Sequence, residues 1–249
     1  MTADVKTAAA HGCYAVTCIT ALTVQSTAGV KRVEAVPAAL VAETLRELAS
    51  DVDVAAVRIG MLGSGEVAEA VAEWTENARP RNVVLDPLIR ASSGAELLDV
   101  RGVEVVRERL IRLADVVTPN IDEAAALSGI QVSDLPSAKA AAARLHEMGC
   151  RVVVITGGHL PQPVDLLSVR DGEQTEFPGK KIESSATHGT GCAFATALAC
   201  NLARGFQLKD SVRAAGEYVR DAIEKAYRLG KGKGPVNHLW PPSPFEPKR

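Results

Sequence analysis

The stretch Thr187-His188-Gly189-Thr190-Gly191-Cys192, followed at once by Ala193-Phe194-Ala195-Thr196-Ala197-Leu198-Ala199, decides how this chain is read. Two glycines stand among small hydroxyl and sulfur residues at the mouth of a run of small, helix-forming residues. The first backbone N–H groups of a helix have no partner inside it, and the helix dipole favours negative charge at that end. Glycine lets a phosphate come close to the backbone. Cys192 falls on the first turn, where the pKa of a thiol tends to drop. An anion cradle with an ionisable group one step away points to phosphoryl transfer.

Working outward from this loop, apolar runs alternate with helical periods. Strands are expected at residues 14–22, 55–59, 82–86, 116–118 and 151–156, and a β-hairpin at 166–170 and 174–177 around Asp171-Gly172. Helices are expected at 3–11, 37–50, 65–77, 101–113, 121–128, 137–148, 191–204 and 208–229. Alternation of this kind implies an α/β domain in three layers, a mostly parallel sheet covered by helices on both faces. Ligands bind such sheets at the carboxyl ends of the strands. Gly60, Asp86, Asn120, Gly157 and the 187–192 loop all fall at those ends. The reading gives one domain over residues 1–240 and a Pro-rich tail over 241–249.

Composition narrows the function. Of the 249 residues 47% are hydrophobic and 23% charged, an ordinary balance for a globular domain, and the net charge of −2 argues against nucleic-acid or membrane-surface binding. No apolar run approaches the ~20 residues that span a bilayer, and the first ten residues lack the basic and apolar blocks of a signal peptide. The cysteines at 13, 18, 150, 192 and 200 are odd in number and lack metal-ligand spacing, so they read as reduced thiols in a cytoplasm.

Several residues at the strand ends could carry chemistry. Asp86 follows an apolar strand and precedes Pro87. It is either a carboxylate that orients Mg²⁺ through water or a turn aspartate. Asn120-Ile121-Asp122-Glu123 has capping-box spacing, and a capping Glu123 at a site edge could also hold metal-bound water. Thr156-Gly157-Gly158-His159 ends a strand with a Gly-Gly pair that would let a nucleotide pass close, or simply makes a tight turn. His159 and His188 have no partner at zinc spacing. Gln25 is either a loop residue or an amide that reads a heteroaromatic edge with one donor and one acceptor.

Taken together the segments resemble the hydroxymethylpyrimidine/phosphomethylpyrimidine kinases of thiamine biosynthesis, within the ribokinase-like superfamily. The matching pieces are Ala3-Asp4-Val5-Lys6-Thr7, the 19–27 segment, Ile59-Gly60-Met61-Leu62-Gly63, Val84-Leu85-Asp86-Pro87, Thr118 to Ala124, Gly157-Gly158-His159, Thr187 to Cys192, and Gly232 to His238. They cover nearly the whole chain in the family's order.

The resemblance implies a three-layer ribokinase-like fold and ATP-dependent phosphorylation of 4-amino-5-hydroxymethyl-2-methylpyrimidine. Its monophosphate is then converted to the diphosphate. It implies Cys192 as the catalytic residue with the Gly189, Thr190 and Gly191 amides as anion hole. Asp4, Gln25 and Leu88 fall at the pyrimidine site. ATP is expected along Asn120, Gly157, Gly158, His159, Thr187 and His188, and Mg²⁺ near Asp86 and Glu123. A pyridoxal or related vitamin kinase, or a catalytically impaired binding protein of the same fold, are the competing expectations. Two family lysines are replaced by Ser92 and Thr156. The family's usual strand and Gly-rich segment ahead of Ala3-Asp4 is absent here, so a truncated N-terminus is expected. The apolar surface around that lost strand would favour a homodimer.

Overall fold

Short valine-rich runs form the centre of the molecule because consecutive residues of a strand face opposite ways. Val83 and Leu85 pack into one helical layer, while Val84 between them packs into the other. Val116 and Val117, Val153 and Val154, and Leu166 and Leu167 divide in the same manner. The computed structural model describes residues 1–91, 94–184 and 186–240.

The main sheet has six strands in the order β3 (Val57–Ile59), β4 (Val83–Leu85), β5 (Val116–Val117), β6 (Val152–Ile155), β7 (Val164–Val169) and β8 (Gln174–Pro178). The pairs from β3 to β6 are parallel, and β7 and β8 turn back antiparallel. On one face lie α2 (Ala38–Asp51), α3 (Gly65–Ala78), α4 (Val100–Val105), α5 (Ile111–Leu113), α6 (Ile121–Ser128) and α7 (Leu135–Glu147). On the other lie α8 (Thr190–Ala203) and α9 (Leu208–Glu224), with α1 (Thr2–Ala10) against α8. The expected three-layer α/β architecture is therefore present.

Local signals set the helix starts. Ser64 accepts from the Val67 amide and Asp99 from the Gly102 amide. Asn120 and Asp134 each open a complete capping box. Such caps satisfy first-turn donors that would otherwise have no partner. The expected helix over 101–113 is interrupted by a π-helical turn, Val106–Leu110, between α4 and α5. The last long helix ends at Glu224 rather than 229.

Residues 14–22 depart most from expectation. Only its last two residues join a strand, β1 (Ala21–Ser26), which pairs antiparallel with β2 (Gly29–Ala35) in a separate two-stranded sheet. Tyr14 is 94% exposed, and Val16 and Ile19 are exposed as well. A β-branched run becomes a strand only where a neighbour supplies the ladder, and among the described residues no strand pairs with 14–19, while Thr20 O accepts from Val36 N–H at 2.9 Å. The outer edge of β3 is likewise without a strand partner among the described residues. β2 was not expected at all, because its Lys31-Arg32-Val33-Glu34 segment lacks an apolar run. Ser92 and the 241–249 tail lie outside the described residues.

Candidate active site

The carboxyl ends of β3 to β6 and the start of α8 open onto one cavity of about 2440 Å³. Asp4, Gln25, Asp86, Leu88, Asn120, Glu123, Gly158, His159 and every residue from Thr187 to Cys192 line it. Gly157 does not: a Cβ there would lie 2.1 Å from the Val164 carbonyl oxygen, and its amide donates to Asp165 Oδ1 at 3.0 Å. The two adjacent glycines thus answer different needs. Gly157 admits the β7 backbone, and Gly158 faces open space.

The anion loop is built from both ends of the chain. Gly189 is the N-cap of α8 at φ +86°, a conformation that favours glycine, and a Cβ there would meet the His238 ring at 3.2 Å. No side chain caps α8. The first internal bond of this turn is Ala193 N–H to Gly189 O, which leaves the amides of 190–192 pointing into the cavity mouth. The loop is held by the C-terminal segment: His188 N–H donates to Gly234 O at 3.0 Å, and Val236 N–H to His188 O at 3.3 Å. Gln25 reaches the loop from the β1–β2 hairpin, its Nε2 3.3 Å from His188 Nε2.

Beneath the loop sits a charged cluster. Thr196 Oγ1 donates to Asp4 Oδ1 at 2.9 Å, tying α1 to α8. Asp86, 2% exposed at the end of β4, pairs with Arg58 of β3. Arg58 Nη1 also stands 3.6 Å from Asp4 Oδ1. Glu123 completes its capping box, accepting from the Asn120 amide through Oε2 at 3.0 Å. Its other oxygen, Oε1, is buried with no partner among the described residues.

The electrostatics follow from burial. Desolvation pushes Glu123 up to about 8, and the nearby Asp86 charge adds to the rise. Burial also raises Asp86, against the opposing pull of the Arg58 guanidinium. Cys192 is pushed up to about 12 by burial, only partly offset by Arg58. This corrects the expectation of a lowered thiol pKa at the helix start. The dipole is outweighed by the loss of water and by the carboxylates of Asp86 and Asp4.

Orphaned Glu123 Oε1 and buried Asp86 form a donor set that suits a hard divalent cation. Such ions take one or two carboxylates together with waters and phosphate oxygens. The residue that sequence reasoning overlooked is Arg58. A lone charge inside the apolar run 54–59 was the available signal, since a buried arginine demands a carboxylate partner.

A phosphoryl-transfer cradle at the strand ends of a three-layer α/β sheet defines the class of protein, and the comparisons with known proteins agree. The family model described as phosphomethylpyrimidine kinase matches residues 1–237, and the chain belongs to that family. It is 41% identical over 240 residues to the hydroxymethylpyrimidine/phosphomethylpyrimidine kinase of Streptomyces coelicolor, covering 96% of this chain and 88% of that one. It is 45% identical to the thiamine biosynthesis bifunctional protein ThiED of Geobacter sulfurreducens, and there it spans only 49% of the relative's length. Among solved structures, the phosphomethylpyrimidine kinase of Clostridium difficile superposes with TM-score 0.79 at 30% identity, over 89% of this chain and 91% of that one. The ADP complex of Bacillus subtilis pyridoxal kinase superposes with TM-score 0.86 at 29% identity, over 96% and 91%.

Proposed function

We propose that the protein transfers the terminal phosphoryl group of ATP to the hydroxymethyl group of 4-amino-5-hydroxymethyl-2-methylpyrimidine, and then to the resulting monophosphate. The observation that supports this most is that the Gln25 amide, the uncapped α8 turn and the Asp86–Glu123 pair border one cavity in a chain of this family.

Gln25 and Asp4 bind the pyrimidine, with Leu88 as the apolar wall. ATP lies along Asn120, Gly158, His159, Thr187 and His188, with Gly157 as the packing support of that edge. Gly189, Thr190 and Gly191 hold the moving phosphoryl charge through backbone amides. An alcohol oxygen of the substrate bonds to the terminal phosphorus as the bridging oxygen leaves with ADP. Such transfers depend mostly on positioning and charge stabilisation. Cys192 stands on the first turn of α8; once its own thiol proton has passed to solvent, the thiolate receives the alcohol proton. Asp86 and Glu123 would hold a Mg²⁺ ion, which would supply positive charge that favours the Cys192 thiolate.

The enzyme acts in the cytoplasm, in keeping with its five free cysteines and with no described helix long and apolar enough to cross a membrane. It functions as a homodimer, for which the exposed Leu22 and Val24 of β1 offer apolar surface. Phosphate transfer from ATP to the hydroxymethylpyrimidine, followed by mass spectrometry, tests the activity. Absence of both mono- and diphosphate overturns it. Pyridoxal is the second substrate to compete in the same assay, because the pyridoxal kinase of Staphylococcus aureus bound to AMP-PCP and pyridoxal superposes with TM-score 0.84.

A further inference from the structure

One cation of the site belongs to the chain itself. Arg58 folds back over Gly60, where a Cβ would sit 1.8 Å from its Nη1. The guanidinium lies between the carboxylates of Asp86 and Asp4. The Arg58 side chain is 13% exposed and that of Asp86 3%. Arg58 Nε is buried with no partner among the described residues, and so is Glu123 Oε1 across the cluster. Carboxylates from α1, from the end of β4 and from α6 therefore converge on Arg58, and the N-terminal ammonium of Met1 stands 2.8 Å from the other oxygen of Asp4.

We propose that Arg58 gates the entry of the divalent ion. It pairs with Oδ2 of Asp86, so the cluster accepts a divalent cation only when nucleotide phosphates arrive with it. With Arg58 and the Met1 ammonium in place, the charges of Asp4 and Asp86 are matched. A bare divalent ion would turn that buried group net positive, which a poorly solvated pocket penalises. Phosphate oxygens supply the missing negative charge. They also offer the guanidinium fork a second partner of the kind it binds well. Without Arg58 the same pocket leaves Asp86 uncompensated and attracts a divalent ion by itself. Arg58 is thus a positioning residue, which orders the arrival of metal and nucleotide.

The inference rests on the proposed assignment of Asp86 and Glu123 to the metal. The test measures Mn²⁺ binding to the purified chain by electron paramagnetic resonance, with and without AMP-PCP, for the wild type, Arg58→Gln and Arg58→Lys. The wild type is expected to bind Mn²⁺ at least about tenfold more tightly with AMP-PCP than without. Arg58→Gln is expected to bind Mn²⁺ alone at least about tenfold more tightly than the wild type does. Arg58→Lys, which keeps the charge but not the fork, is expected to shift the same way by about threefold. Should Arg58→Gln fail to fold by circular dichroism, Arg58→Lys decides alone. Unchanged or weaker binding of Mn²⁺ alone in the folded variants overturns the gate. If the wild type also binds no Mn²⁺ with AMP-PCP, the metal assignment falls with it. If it binds there, only the role of Arg58 falls.

Discussion

Gln25 and His188 meet side chain to side chain at 3.3 Å, although 163 residues of chain separate them. The contact fastens the β1–β2 hairpin to the loop whose amides would hold the phosphoryl group. Burial lowers the pKa of His188, so its ring stays neutral and can accept from the Gln25 amide. On the proposed reading, substrate recognition and phosphate handling would be joined through this one hydrogen bond.

Gln25→Ala is expected to raise KM for the pyrimidine about tenfold, the cost of leaving a polar partner unmatched, with a smaller change in kcat. Steady-state kinetics with varied pyrimidine at saturating ATP check this. A loss confined to kcat would remove Gln25 from ring recognition.

Cys192→Ala should lower turnover by about a hundredfold or more, the usual range for a lost proton acceptor. Cys200→Ala should keep most of the rate, because Cys200 is buried among α8 residues in the second layer. A coupled ATP assay on both variants measures the contrast, and equal rates would exclude Cys192 from the mechanism.

Stability should carry two opposing pH dependences. Glu123 is pushed up to about 8 from its ordinary 4.5. Between those values the folded protein holds a proton that the unfolded chain has released, so stability falls as pH rises through that window. His238 is pushed down to about 4 by burial from its ordinary 6.5. There the unfolded chain holds the extra proton, so stability falls as pH drops from 6.5 to 4. Calorimetry should find a lower Tm at pH 8 than at pH 6.5, and Glu123→Gln should flatten that difference. A wild-type Tm that climbs between pH 6.5 and 8 would contradict the assignment.

Gly157→Ala should destabilise the fold by more than about 2 kcal/mol, because the new methyl meets the Val164 carbonyl. Gly158→Ala, with open space before it, should fold normally and weaken ATP. Urea denaturation and nucleotide titration of the pair separate the two roles.

Asn120→Ala removes the capping partner of the Glu123 amide and should cost about 1 kcal/mol. The Glu123 carboxylate keeps its bond from the backbone amide of residue 120, so the Mg²⁺ dependence of the rate should change no more than the stability loss explains. Rates across a Mg²⁺ series, compared with the loss read from urea denaturation, check this.

Much of this architecture is legible in the sequence because strand-end punctuation and capping residues act locally. Residues 121–128 form a helix over the expected bounds because Asn120 and Glu123 cap it by themselves. What stayed hidden depends on distant partners. Residues 14–19 have the composition of a strand but lack a ladder among the described residues. β2 becomes a strand only because β1 lies beside it. Arg58 reads as a stray charge until β4 brings Asp86 next to it. The lowered thiol expected at Cys192 reversed because local helix geometry does not reveal how little water reaches the site or which carboxylates crowd it.

The uncovered side of β3 has a consequence of another kind. Val57, Arg58 and Ile59 line the cavity, flanked by apolar residues such as Ile19 and Leu48, with no strand beyond them among the described residues. Any extended peptide that enters can add itself to the sheet. An unpaired edge of this kind is where one sheet can join another, so the behaviour of the chain in concentrated solution will follow from what covers that seam.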